Sequence, residues 1–128
     1  MSKVPPSQEK IILTHLDWNL QRLDEVLKQG NTDYFKSAAL QRFGHAYTMV
    51  IKCLRHFIKI ENQTDVECMA LAIKNDWTEN LSLWEEMIVD FKQINNKPSE
   101  QEAEAIYHKL SRYQQTFKSL LARLHKTC

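Results

Sequence analysis

Apolar residues recur along this chain at intervals of three and four, and no stretch of useful length alternates with a period of two. Near the start, Ile12, Leu16, Leu20, Leu23 and Leu27 are spaced four, four, three and four apart, which lines one face of a helix. Ser7, directly after Pro5 and Pro6, is placed to open that helix, and Gly30 stands where a left-handed terminal cap is expected. A second stripe (Leu40, Phe43, Tyr47, Val50, Leu54, Phe57) predicts a long helix over about 33–60. Ile51 and Ile58 widen it, so this helix is expected to be covered on more than one side. Gly44 falls in its middle, where glycine costs about 1 kcal/mol relative to alanine. Close backbone packing against a neighbouring helix is the expected reason.

Three further helices follow from the same spacing. Thr64 and Glu67 read as a capping box, in which a hydroxyl and a carboxylate satisfy each other's free backbone N–H groups. They open a short helix bearing Val66, Met69, Ala70 and Ile73 and ending near Asn75 and Asp76. Leu81, Trp84, Ile88 and Phe91 predict a fourth helix over about 78–91. A second capping box, Ser99 with Glu102, opens a fifth, carrying Ala103, Ile106, Leu110, Tyr113, Phe117, Leu120 and Leu124 and reaching about residue 126. The connections are short, so neighbours should pack antiparallel. The predicted architecture is all-α: an up-and-down antiparallel bundle of four long helices plus one short one. It forms a single domain over 1–128, with residues 1–6 expected to be disordered.

Composition agrees with this reading and narrows the chemistry. With only two glycines and three prolines in 128 residues, turn punctuation is too scarce for many short strands. A formal charge of +1 sets up no field that announces nucleic acid, membrane or an acidic substrate. Cys53, Cys68 and Cys128 are odd in number and widely spaced, which gives neither a disulfide framework nor a zinc pattern. The N-terminal MSKVPPSQEK has no apolar core of a signal peptide, and no apolar run reaches the length of a membrane span. A cytoplasmic protein is expected.

Candidate chemistry is thin. None of the glutamates has a histidine three residues later, so the paired Glu-x-x-His pattern of a di-iron bundle is missing. His45 and His56 share a helix face but lie about 16 Å apart, too far for one metal. Glu104 and His108 have the i, i+4 spacing of an exposed helix pair. Cys53 sits among apolar residues, as a small core filler does. Lys109, Arg112, Lys118, Arg123 and Lys126 read as a solvated face. Trp18 lies off the first stripe, where an indole marks an interface.

The segment Ala38-Ala39-Leu40-Gln41-Arg42-Phe43-Gly44-His45-Ala46-Tyr47 is the most distinctive. With Lys52, Leu54, Trp84, Met87, Asp90 and the run Ala103-Glu104-Ala105-Ile106-Tyr107, it resembles the nucleotidyltransferase substrate-binding proteins, small helical bundles of the broader HEPN group. The likeness covers about residues 12–124. It departs from the family in Gly44, where a Glu is usual, and in Ile51, where a Trp is usual. The largest departure concerns the RNA-cleaving motif of active relatives, in which an Arg, an Asn, a His and a Tyr follow the fourth helix. Those places hold Phe91, Lys92, Asn96 and Pro98 here.

The resemblance implies a helical homodimer that docks a separately encoded minimal nucleotidyltransferase, with no cofactor or metal of its own. The emptied motif implies no catalysis, because RNA cleavage needs a proton carrier working near neutral pH and a cation for the developing charge. RNA is therefore not an expected partner, and Phe91 becomes a candidate dimer contact. Two alternatives stand beside this. One is an RNase toxin with relocated residues, drawing on His45, His56, Arg42 and Lys92. The other is a nucleotide-binding module with Arg42 and Lys52 as phosphate contacts, unless those two hold structural ion pairs with Asp or Glu.

Overall fold

The computed structural model describes residues 7–30, 32–59 and 62–127. The expected disorder of residues 1–6 and the position of Cys128 lie outside them. Six helices follow in order: α1 (Gln8–Leu27), α2 (Asp33–Ile58), α3 (Asp65–Lys74), α4 (Leu81–Ile94), α5 (Glu100–Tyr107) and α6 (Leu110–Thr127). Among the described residues there is no strand. The all-α bundle is as expected; the helix count is not. The predicted fifth helix is two, because the N–H of Lys109 turns to the carbonyl of Ile106, three residues back, before α6 resumes. A tightened turn of this kind needs no Gly or Pro.

Helix starts follow the predicted caps. Ser7 accepts from the N–H of Lys10, and the boxes Thr64–Glu67 and Ser99–Glu102 are both closed. Those bonds, the backbone one first, hold the Glu67 and Glu102 carboxyls below the usual glutamate range. Their contribution to stability is complete above the ordinary carboxylate value and is lost as the pH falls through the lowered one. Helix α4 begins later than expected. Thr78 is buried outside the helix, accepting from the Trp84 indole N–H at 3.1 Å, and Asn80, at φ 65°, caps Leu83 instead. The helix then runs to Ile94 rather than stopping at Phe91. Gly30 is not a left-handed cap: α1 closes on Lys28 in right-handed geometry, and the left-handed residue at the end of α2 is Lys59, at φ 60°.

Helix α2 is the hub. It contacts each of the other five helices, which accounts for its wide stripe, buried from Ala39 to Leu54. Phe43 stacks on Tyr113 and on Phe117 of α6 at 5.4 and 5.9 Å between ring centres. Trp84 of α4, fully buried, meets Phe117 at 5.9 Å. Helix α3 is tied on by polar bonds: the Tyr47 hydroxyl donates to Asp65 at 2.8 Å, and Arg55 donates to Asp65 at 3.0 Å and to the Gln63 carbonyl.

A polar cluster joins α4 to α6 inside this apolar frame. The Tyr113 hydroxyl lies 2.5 Å from Asp90 and 3.0 Å from Glu86, and Lys109 reaches Asp90 at 2.9 Å. Asp90 is only 6% exposed. Burial and the Asp90 carboxylate both push the Tyr113 phenol well above its ordinary range, so it remains a donor. Tyr113→Phe leaves the ring stack but removes that donor from a buried carboxylate. The expected cost is about 1–3 kcal/mol in the free energy of urea unfolding, whereas an unchanged midpoint would mean that Lys109 alone satisfies Asp90.

Candidate functional site

The junction between α4 and α5 is where the related cleavage motif would stand. Phe91 lies inside the last turns of α4, half-buried, its ring stacked on Tyr47 at 4.2 Å and 28°. Part of the ring is thus engaged by packing within the chain. The ring forms one wall of a groove of about 500 Å³, with Ile94 and Pro98 beside it and Leu40, Gly44 and His45 opposite. No Lys, Arg, Asp or Glu lines the groove, and His45 is the single histidine there. The groove continues past Ser37, Leu40 and Pro98 into a second hollow of about 490 Å³, flanked by the 2.6 Å ion pair of Lys36 with Glu104.

The four motif positions do not converge. Phe91 and Pro98 line the groove; Lys92 and Asn96 are exposed and do not. The junction is held by its own polar bonds instead. Gln93 donates to the Glu102 carboxylate, which also accepts from the Ser99 N–H, so the end of α4 and the start of α5 share one acid. Gly44 is explained by a side chain rather than by a close helix backbone. An added Cβ would meet the Phe91 ring at 3.8 Å, an ordinary contact.

Arg42 and Lys52 do not form a shared site. They are ten residues apart on α2, about 15 Å along its axis. Arg42 makes no ion pair among the described residues; its guanidinium donates to the backbone carbonyl of Arg22 at 2.7 Å, stitching α2 to α1. It lines a pocket of about 210 Å³ with Asn19, Arg22, Gln41 and His45. Lys52 is exposed and outside that pocket. Of the relocated-RNase candidates, Arg42 and His45 are neighbours, His56 lies 3.8 Å from Glu9 at the far end of α2, and Lys92 is on α4.

The remaining candidates have structural places. Cys53 is fully buried, burial pushing its thiol up to about 12, and its sulfur faces the Ile12 carbonyl. Glu104 holds both His108 at 3.0 Å and Lys36, whose hydrogen bond keeps its carboxyl low. Three of the five cations expected on the last helix are paired: Lys109, just before α6, with Asp90, Lys118 with Asp24 at 2.6 Å, and Arg123 with Glu79 at 2.8 Å. Among the described residues no three His, Cys, Asp or Glu side chains gather as metal ligands, and no helix is long and apolar enough to cross a membrane. Trp18 is 58% exposed, as its place off the stripe predicts. It lines a further pocket of about 310 Å³ with His15, Asn19, Arg22 and Met49. Sequence reasoning overlooked Asn19, Arg22 and Met49; the signal was Arg22 standing four residues beyond Trp18, on the same side of α1.

No family model matches this chain, and no curated protein matches it.

Gly44→Ala is expected to raise stability by about 0.5–1 kcal/mol, since the Cβ fits and the glycine penalty is removed. A fall in melting temperature would show that the Phe91 ring cannot accommodate a methyl. Phe91→Ala should cost about 2–4 kcal/mol, somewhat below the usual range for a buried phenylalanine because the ring is only half-buried. A loss below 1 kcal/mol would mean that the stack on Tyr47 contributes little.

Proposed function

We propose that this protein is a non-catalytic interaction subunit: a helical homodimer that docks a minimal nucleotidyltransferase encoded separately. The reading rests on the resemblance across residues 12–124 and on one observation at the junction. Phe91 occupies the place of the motif's arginine, and its ring is stacked on Tyr47 in the wall of a groove lined by no Lys, Arg, Asp or Glu. An aromatic ring held there supports recognition of an apolar surface. It supplies no cation to a developing phosphorane and no proton carrier. Asn96, in the place of the histidine, does not titrate near neutral pH. Lys92 is a cation, but alone it holds a phosphate without cleaving it. Pro98, in the place of the tyrosine that a partner enzyme modifies in some relatives, has no hydroxyl.

Affinity purification of the tagged full-length chain from its own cells, with mass spectrometry and light scattering of the product, tests this. Recovery of a small nucleotidyltransferase near stoichiometric amount, on a dimer of this chain, is the expected result. A monomer at micromolar concentration that carries no such enzyme would remove the reading, and cleavage of bulk RNA by the purified chain would replace it.

A further inference from the structure

The outer face of α1 and α2 carries an apolar and cationic surface that the junction does not use. Two pockets adjoin there and share Asn19 and Arg22. One contains Trp18, His15 and Met49; the other contains Arg42, Gln41 and His45. Trp18 and, two turns earlier on the same side of α1, Ile11 are 58% and 44% exposed. No carboxylate lines either pocket, and among the described residues Arg22, Arg42 and Lys52 enter no salt bridge, unlike Lys118 and Arg123 of α6. Arg42 commits one nitrogen to the Arg22 carbonyl, which fixes the orientation of its guanidinium and leaves further donors open.

We propose that this α1–α2 face docks an acidic amphipathic helix of a protein partner, with apolar side chains against Trp18 and Met49 and carboxylates on Arg22 and Arg42. Charge complementarity chooses the occupant. Two guanidiniums without acids beside them ask for anions, while the exposed indole, thioether and Ile11 ask for aliphatic side chains at helical spacing. Tryptophan and arginine side by side are also the residues that concentrate binding energy at interfaces. A free nucleotide fits less well. All the lining residues sit within helices, whose backbone N–H groups are already spent, and no helix N-terminus or glycine loop is present to cradle a phosphate. A single-stranded nucleic acid wants a series of stacking platforms; here one indole stands beside a histidine ring at 5.7 Å.

This deepens the interaction-subunit reading and rests on it, but its test is separate. The isotope-labelled full-length chain is titrated, by NMR, with an amidated helical peptide of about five turns, leucine on one face and glutamate on the others. A parallel titration uses oligouridylate RNA. The expected result is a set of shifts confined to His15, Trp18, Arg22, Arg42, His45 and Met49. Binding should weaken about tenfold or more in Arg22→Glu and in Trp18→Ala, and it should fade at about 0.5 M salt. Arg42→Gln, which keeps a donor for the Arg22 carbonyl, should weaken binding with the melting temperature nearly unchanged. Shifts centred on the α4–α5 groove, no response at millimolar peptide, or a response to RNA alone would each overturn the assignment. Failure here with a nucleotidyltransferase still recovered from cells moves the docking face and keeps the subunit reading. Peptide binding without any recovered enzyme does the reverse.

Discussion

The stacking of Phe43 on Tyr113 and Phe117 is the contact on which the rest of the molecule depends. It joins the hub helix α2 to α6, at rings that are fully buried. Trp84 brings α4 to the same place by meeting Phe117. Aromatic rings bury large areas and hold a preferred offset geometry, so three helices fixed at one ring cluster have little freedom to slide or rotate. The leucine stripe of α1 then closes the other side, and α3 adds Cys68, Met69 and Ala72 to the core while Tyr47, Arg55 and Asp65 fix its start.

Polar groups set the register that apolar packing leaves open. The buried Asp90 carboxylate accepts from Tyr113 and pairs with Lys109, positions four apart on either side of the start of α6. A slip of one residue would strand a charge in the interior, which costs several kcal/mol. Tyr113 has an apolar duty as well, being at once a stacking ring and a hydrogen-bond donor. The junction beyond is built in the same economical way, with Glu102 closing its own helix and holding Gln93 of the preceding one.

Stripes, N-terminal caps and, among the described residues, the absence of strands were legible in the sequence because they are local. Ser7, Thr64 and Ser99 act through bonds three residues long, and Leu16, Leu20 and Leu23 face inwards because a helix has 3.6 residues per turn, although Leu13, outside the expected stripe, is fully buried while Ile12 and Leu27 are only partly so. The misses are tertiary apart from Gly30, where α1 had already closed on Lys28 through local bonds. The α5–α6 break lies in a stripe that never interrupts its period, and no Gly or Pro marks it. The late start of α4 depends on a bond from the Trp84 indole to Thr78. Gly44 invited a backbone explanation, whereas the neighbour is a ring from α4. At the site, the residue types Arg42 and Lys52 were conspicuous, but only packing reveals that one stitches two helices and the other stands apart. The exposed Trp18 was visible as an exception to its stripe; its companions Asn19, Arg22 and Met49 needed the α1–α2 geometry.

The short α5 has one more consequence. Of its eight residues only Ile106 is buried, and its hold on α2 includes the half-exposed pair of Lys36 with Glu104. The ring cluster and the Tyr113 bond to Asp90 are anchored beyond the break, in α6. A change of length or tilt in α5 therefore alters the width of the groove beside Pro98 while the load-carrying part of the bundle stays seated. The two tasks of holding the fold and shaping a surface fall to adjacent segments divided by two residues, so one can drift over generations without dragging the other with it.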